Sequence, residues 1–303
     1  MRSYGRSKTD HLITQKSSRM AFEIIKPGLY STLQDQGRHG HAHQGVPRGG
    51  VMDRNSYDLL NIVLGNDESE PVIEATIMGP TIKFTEDHQL AITGSNLSPM
   101  INKIAIELNK VYQIRAGDTL GFGRLQSGCR CYIGISGSWQ VPRWLDSCSP
   151  LNYGNVLQEN ILKKGSYIEI AHSATGILPL VKLPSILETD IHELTLWPGP
   201  EYDLFEEGQK RTMLTSTYRV SNDSNRMGYR LEGYNFKWST TTSMISSGVL
   251  PGTVQITKDG TPIILLQDAQ TIGGYPRFGI LDQGSLNHMA HIKPGDRVRF
   301  KMQ

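Results

Sequence analysis

The residues best suited to chemistry fall in three polar, glycine-bearing stretches. In Gln267-Asp268-Ala269-Gln270-Thr271-Ile272-Gly273-Gly274-Tyr275-Pro276, an acid, two amides and a hydroxyl follow the apolar run Ile263–Leu266. Glycines let a backbone approach a ligand closely, and strand-end loops commonly carry binding groups. The segment Ser224–Gly233 adds Arg226 and Arg230, whose guanidiniums suit a carboxylate or phosphate. Gln34-Asp35-Gln36-Gly37-Arg38 and Gly49-Gly50-Val51-Met52-Asp53 form the third stretch. Each also reads as plain structure: Asp and Gln side chains cap their own turns, and Glu232 is available to pair with a neighbouring arginine. Composition alone leaves the two readings even.

Other chemistries are set aside by what the sequence lacks. It contains no G-x-x-x-x-G-K-[ST] phosphate loop, no G-x-G-x-x-G, no G-x-S-x-G, no H-E-x-x-H and no C-x-x-C. His39, His41 and His43 alternate, but Gly37, Gly40 and Gly45 make this a loop, so metal binding is not expected. Cys129 and Cys131 lie two apart on a strand and read as small buried hydrophobes.

The elements that must position these groups are short β runs: Phe22–Ile25, Gln89–Thr93, Cys129–Ile135, Tyr167–Ile170 and Thr261–Leu266. Turn residues between them favour barrels or sandwiches over βαβ units. Three helices are expected. One spans about 54–64, with Asp53 as N-cap, Gly65 past its end, and Tyr57, Leu60 and Leu64 as its buried stripe. The others lie near 201–213 and near 285–291, the latter with Asp282 upstream.

One pattern recurs. Ile114-Arg-Ala-Gly-Asp-Thr-Leu-Gly-Phe122 matches Ile292-Lys-Pro-Gly-Asp-Arg-Val-Arg-Phe300, and Leu162–Ile170 is a looser copy. Gly before Asp suits a tight turn feeding a strand. The repetition is compatible with two related β domains, expected at 21–180 and 190–303, with the Pro-bearing stretch 178–193 as linker.

The chain has 303 residues, 38% hydrophobic and 20% charged, with 31 Gly and 15 Pro. That supports about two folded, turn-rich domains and excludes a disordered, collagen-like or coiled-coil chain. No apolar run reaches membrane-spanning length. The net charge of +2 is uneven: residues 1–19 hold five basic residues against Asp10, leaving 26 basic and 28 acidic groups in the rest. No footprint for nucleic acid results. Residues 1–20 are expected to be a disordered leader or tag. Three cysteines are too few for a disulfide scaffold, so a reducing, cytoplasmic setting is expected.

From Lys26 to Phe300 the sequence resembles the family of 5-oxoprolinase C subunits, also named allophanate hydrolase subunit 2 or biotin-dependent carboxyltransferase subdomain. The resemblance rests on Lys26-Pro-Gly28, Thr32-Leu-Gln-Asp-Gln-Gly-Arg38, Gly50-Val-Met-Asp53, Asn61-Ile-Val-Leu-Gly-Asn66, Glu74-Ala-Thr76 and Gly79-Pro80. It continues through Pro198-Gly-Pro200, Asn225–Gly233, Ser247–Gly252, Gln255, Gln270–Pro276 and Pro294–Phe300. The sequence departs from the pattern at Val51, where Ala is usual, at Gly137-Ser138, where a Gly pair is common, and at Ala269, where an Arg is common.

The resemblance implies a mainly β fold of two cyclophilin-like β-barrel domains with a few short helices. It implies an obligate component, inactive alone, of an ATP-hydrolysing 5-oxoprolinase. With the A and B subunits it would convert 5-oxoproline to L-glutamate, using ATP and magnesium shared with the B subunit and no covalently bound biotin. The family also contains halves of carboxyltransferases that take carboxybiotin in trans, as in urea carboxylase, and antagonists of a sporulation kinase inhibitor.

Carried onto this chain, the resemblance and the residue types make Asp268 a group that orients or accepts a proton. Gln255, Gln270 and Thr271 offer neutral hydrogen bonds, and Arg226 and Arg230 hold an anion. Gly273 and Gly274 supply close backbone approach, with Tyr275 beside them. The Lys258-Asp-Gly260 turn predicts a hairpin that pairs Gln255 with a residue near Ile263. Asp268 and Gln270 would then emerge together at the mouth of the second barrel. The expected site is one polar pocket of Gln255, Asp268, Gln270, Arg226 and Arg230, with Asp268 dispensable for folding.

Overall fold

The computed structural model describes residues 20–171, 189–237 and 244–303. The expected leader, up to residue 19, and most of the expected linker at 178–193 lie outside the described residues.

Residues 20–171 build two antiparallel sheets around one core. The seven-stranded sheet runs in the order Ser138–Gln140, Tyr167–Ala171, Met20–Lys26, Thr81–Phe84, Thr119–Phe122, Pro99–Ile101 and Ile104–Ala105. The five-stranded sheet runs Tyr30–Gln34, Val72–Thr76, Arg130–Ile135, His88–Gly94 and Val111–Ile114. Alternation places Phe22, Ile24, Ile73, Ile82, Phe84, Ile92, Leu120 and Ile133 inward, where they form the shared core.

A helix over Arg54–Leu64 covers the second sheet, as its sequence predicts. Asp53 accepts hydrogen bonds from the Asn55 and Ser56 amides, and Gly65 ends the helix at φ 63°. Tyr57, Leu60 and Leu64 pack with Val72, Ala91 and Tyr132.

The second half is a closed barrel of seven strands: His192–Pro198, Arg277–Leu281, Thr253–Ile256, Pro262–Leu265, Gly228–Glu232, Tyr218–Val220 and Arg297–Met302. Its core holds Leu194, Leu196, Tyr218, Tyr229, Val254, Ile264, Phe278 and Phe300. The expected 201–213 helix is divided. A single 3-10 turn over Tyr202–Leu204 ends where Phe205 drops into the core, and a helix over Glu207–Thr215 restarts from a Glu206–Gln209 capping box. The last helix, Gln283–Met289, is capped by Asp282.

The recurring turn is one structure used three times. Gly117, Gly295 and Gly165 adopt φ of 95°, 93° and 81°, values that a Cβ disfavours. In the first two, the Asp carboxylate accepts the amide three residues before it: Arg115 N to Asp118 Oδ2 at 2.8 Å and Lys293 N to Asp296 Oδ2 at 3.0 Å. In the third, Ser166 Oγ accepts from Lys163 N at 2.9 Å. Each glycine amide donates to a neighbouring segment, at Phe84 O, Val220 O and Ile24 O.

The halves meet through buried contacts. Met52, from the first half, joins the barrel core. The Gly49 amide donates to Gln267 O at 2.9 Å, and Arg130 Nη1 donates to Tyr229 Oη at 3.0 Å and Ala290 O at 3.1 Å.

Candidate functional site

The junction of the halves is lined by strand ends from both. The 226 side of the Gly228–Glu232 strand and the turn after Pro262–Leu265 come from the barrel. The strand Val72–Thr76 and the Arg48–Asp53 segment come from the first half. Arg226 sits at their centre. Its Nε and Nη2 donate to the two Asp268 oxygens at 2.8 and 2.9 Å, its Nη1 to Glu74 Oε1, and its Nη2 to Gly50 O at 2.5 Å. Gln34 Oε1 lies 3.5 Å from Nη2. Glu74 Oε2 also accepts the Met52 amide at 2.8 Å, and Arg130 Nε stands 3.6 Å from Glu74 Oε1.

This is a buried cluster of two guanidiniums and two carboxylates. Burial works against the charge on Arg226, but Asp268 and Glu74 hold its pKa above the ordinary guanidinium value. Burial raises the Tyr30 hydroxyl; Arg226 opposes this, and Asp268 and Glu74 reinforce it. The phenol therefore stays protonated beside the cluster and available as a donor.

A second network crosses the junction nearby. Ser95 Oγ and His291 Nδ1 are 3.0 Å apart, and His291 Nε2 and Asp53 Oδ2 are 2.9 Å apart. The order of groups is that of a serine-hydrolase triad. Ser95, however, has no exposed surface, and its Oγ accepts the Cys129 amide at 2.8 Å. A Cβ on Gly128 would fall 2.1 Å from that Oγ, so no substrate carbonyl can reach it. This network fastens the halves together.

The structure does not bring the expected five-residue pocket together. Arg226 and Asp268 meet as described. The hairpin pairs Gln255 with Ile263 as its turn predicts, but Gln255 is covered by the 273–275 segment. Its Nε2 donates to Tyr275 O at 3.1 Å, and a Cβ on Gly273 would lie 2.5 Å from that Nε2. Gly273 thus serves close packing over Gln255.

Arg230 pairs across the sheet with Ile263 and points to the exposed outer face, because Tyr229 and Leu231 take the inward positions. Asp268 and Gln270 do not share a face. The chain turns at Gln267–Asp268, where Ala269 N donates to Leu266 O at 3.0 Å, so Asp268 turns in and Gln270 stays exposed. Thr271 O accepts the Val249 amide at 3.0 Å, while Gly274 and Tyr275 are exposed. Ala269 is buried among Val249 and Leu265.

Glu74 is the central group that sequence reasoning missed as a site residue. Its signal was a carboxylate inside Val72-Ile-Glu-Ala-Thr76, a strand buried on both faces. Arg130 carries the same signal in Arg130–Ile135.

A β-rich chain in two halves, with a buried charged junction, defines the class to which the comparisons point. Residues 44–302 match the family model described as the carboxyltransferase domain, subdomain A and B, and the chain belongs to that family. It is 34% identical to the C subunit of 5-oxoprolinase from Escherichia coli, over 92% of this chain and 90% of that protein. It is 32% identical to urea amidolyase of Saccharomyces cerevisiae, over 92% of this chain but only 16% of that protein. The solved urea amidolyase of K. lactis superposes with a TM-score of 0.85 at 28% identity, covering 95% of this chain and 19% of the other.

Proposed function

We propose that this chain is the C subunit of an ATP-dependent 5-oxoprolinase, acting with A and B subunits to convert 5-oxoproline to L-glutamate. One observation carries the reading. The chain and the E. coli C subunit are coextensive, at 92% and 90% of their lengths, whereas the urea amidolyase match occupies a small part of a much longer protein.

A five-membered lactam is a stable amide. Transfer of the ATP γ-phosphoryl group to its oxygen, with release of ADP, activates the ring carbon. Water adds there, the C–N bond breaks to open the ring, and a second water releases the phosphate. The transfer relies on positioning and charge stabilisation. On this chain the Arg226–Asp268–Glu74 cluster holds the two halves in register around the junction. Tyr30 offers a neutral donor beside it, and Gln270, Thr271, Gly274 and Tyr275 present an edge to ligand and partner. Among the described residues no group of three His, Cys, Asp or Glu side chains could hold a metal ion. Magnesium would be held with the nucleotide phosphates, water and one or two carboxylates of this chain or the B subunit.

The test is ATP-dependent glutamate release from 5-oxoproline by the chain purified with its cognate A and B subunits. Turnover is expected from the assembly and none from the isolated chain. Glutamate release by the isolated chain, or none by the assembly, overturns the reading. The fold shared with urea amidolyase favours carboxyl transfer from carboxybiotin as the second reading, and the same assembly supplied with free carboxybiotin and urea tests it.

A further inference from the structure

Cross-strand register builds a basic outer wall on the barrel. Parity turns Val298 and Phe300 of the Arg297–Met302 strand into the core and leaves Arg297, Arg299 and Lys301 exposed outside. On the next strand Tyr218 and Val220 face in, and Arg219 faces out directly opposite Arg297. Arg230 is exposed on the strand beyond.

Side chains directly opposite on one face stand about 5 Å apart at Cβ, and like charges placed so destabilise the pair. Among the described residues no hydrogen bond or ion pair engages the side chain of Arg219, Arg230 or Arg297. A Cβ on Gly295 would lie 3.8 Å from Arg219 Nη2, so that guanidinium reaches the 293–296 turn. The turn gives no relief, because Asp296 already accepts from Lys293 Nζ at 2.7 Å and Lys293 N at 3.0 Å. Arg299 Nη2 donates to Thr217 Oγ1 at 3.4 Å, and Lys301 Nζ lies 3.7 Å from Glu193 Oε1. Five cations thus share the wall with Glu193 and Glu232, on a body whose residues 20–303 hold 26 basic and 28 acidic groups.

Charge and position select the occupant. The 247–252 and 270–276 segments at the junction edge carry no charged residue, and in the proposed assembly the B subunit shares the nucleotide there. The wall is a different surface, on the flank of the barrel. An acidic surface set against it relieves the Arg219–Arg297 repulsion and meets guanidiniums, whose fork suits carboxylates. Nucleic acid fits less well. Glu232 stands directly opposite Arg219 and Glu193 directly opposite Arg299, so a run of phosphates would meet two carboxylates. A protein surface can answer each of them with a cation.

We propose that this wall docks an acidic surface of the A subunit, with Arg219 and Arg297 at its centre. This deepens the 5-oxoprolinase reading and rests on it for the identity of the partner. The chain then meets its two partners by different chemistry: B at the uncharged junction edge and A at the basic flank.

The test is titration of the immobilised complex of this chain and its B subunit with the A subunit, at about 0.05 M and about 0.3 M salt. Wild type is expected to lose about tenfold or more in affinity for A at the higher salt. The double variant Arg219→Glu, Arg297→Glu should lose about as much at the lower salt. The same charge change at Lys163 and Lys164, exposed on the first half, should leave the affinity for A unchanged. If the double variant does not fold, Arg219→Gln with Arg297→Gln, which removes the repulsion, is compared in the same way. Affinity for A that ignores the wall charges, an equal loss in the Lys163 and Lys164 control, loss of B in place of A, or no binding of A by wild type overturns the wall. Wall-dependent binding of a DNA duplex, without wall-dependent binding of A, gives the face to nucleic acid instead. Glutamate release from 5-oxoproline is read separately on the wild-type mixture. Its absence beside wall-dependent binding of A sinks the 5-oxoprolinase reading and leaves the wall standing; turnover beside wall-independent binding of A does the reverse.

Discussion

Arg226 grips Asp268 with two parallel hydrogen bonds of 2.8 and 2.9 Å while its third nitrogen reaches Glu74 in the other half of the chain. A residue expected to act on substrate is thereby a fastener of the junction. Removing one partner of a buried pair leaves an uncompensated charge and costs about 3–5 kcal/mol, whereas replacing the whole group with apolar residues costs less. Asp268→Ala should therefore lower stability by about 2–3 kcal/mol, since its side chain keeps some exposure and Glu74 still faces Arg226. Glu74→Ala, with 1% exposure, should cost more. The urea midpoint at unchanged slope measures both; a wild-type midpoint for Asp268→Ala refutes the fastening role.

Gly273 and Gly274 should differ sharply despite being neighbours. An added Cβ at 273 meets Gln255 Nε2 at 2.5 Å and Val249 Cγ1 at 3.1 Å, whereas at 274 the nearest atom is Ser246 Oγ at 3.3 Å. Gly273→Ala is expected to destabilise by about 1–3 kcal/mol through overpacking, and Gly274→Ala by less than about 0.5 kcal/mol. Thermal melting of both variants decides it. Equal melting temperatures count against close packing over Gln255.

Much of the frame was legible in the sequence because local chemistry specified it. Asp53, Gly65 and the stripe Tyr57–Leu60–Leu64 fixed one helix, and Asp259-Gly260 fixed the hairpin register that pairs Gln255 with Ile263. The Gly-Asp turns at 117–118 and 295–296 were visible for the same reason. The site was less legible because it depends on pairs far apart in the chain. Nothing near Arg226 in sequence announces Glu74, 152 positions away. Strand parity, readable in principle, would have sent Arg230 outward once Tyr229 was placed in the core. The turn at Gln267–Asp268 broke the extended chain that an Asp268–Gln270 pairing required.

Stability should fall as the medium is acidified below neutrality, through two histidines. His192 Nδ1 and His288 Nε2 are 2.9 Å apart, with His291, Asp53, Asp296 and Lys293 around them. Burial, then His192 and His291, depress His288 to about 4 from its ordinary 6.5, and burial also lowers His192. Between those values the unfolded chain binds the proton and the folded chain does not, so stability rises with pH and is lost as pH falls from 6.5 toward 4. The slope from His288 should be at most ~1 kcal/mol per pH unit, allowing for the ring's partial exposure. His288→Gln should flatten it in urea titrations at stepped pH. An unchanged slope removes His288 as the cause.

Asp53 should act in a lower window and through two separable roles. Its Oδ1 caps the 54–64 helix, accepting from Asn55 N at 3.0 Å and Ser56 N at 3.3 Å. Its Oδ2 accepts from Ser56 Oγ at 2.5 Å and meets His291 Nε2 at 2.9 Å across the junction. Burial raises the carboxyl, but the bond and charge of His291 and the two bonds from Ser56 outweigh it and hold the pKa below 3.8. A carboxyl depressed in this way adds stability above its unfolded value, lost only as pH falls through its folded value. Asp53→Asn keeps a cap acceptor and should cost about 1 kcal/mol. Asp53→Ala removes the cap and leaves His291 Nε2 without its partner in the core, for about 3 kcal/mol. Only below about pH 4 should the gap between Asp53→Asn and wild type close. If it closes already well above about pH 4, the Asp53 carboxyl does not control acid stability at this junction.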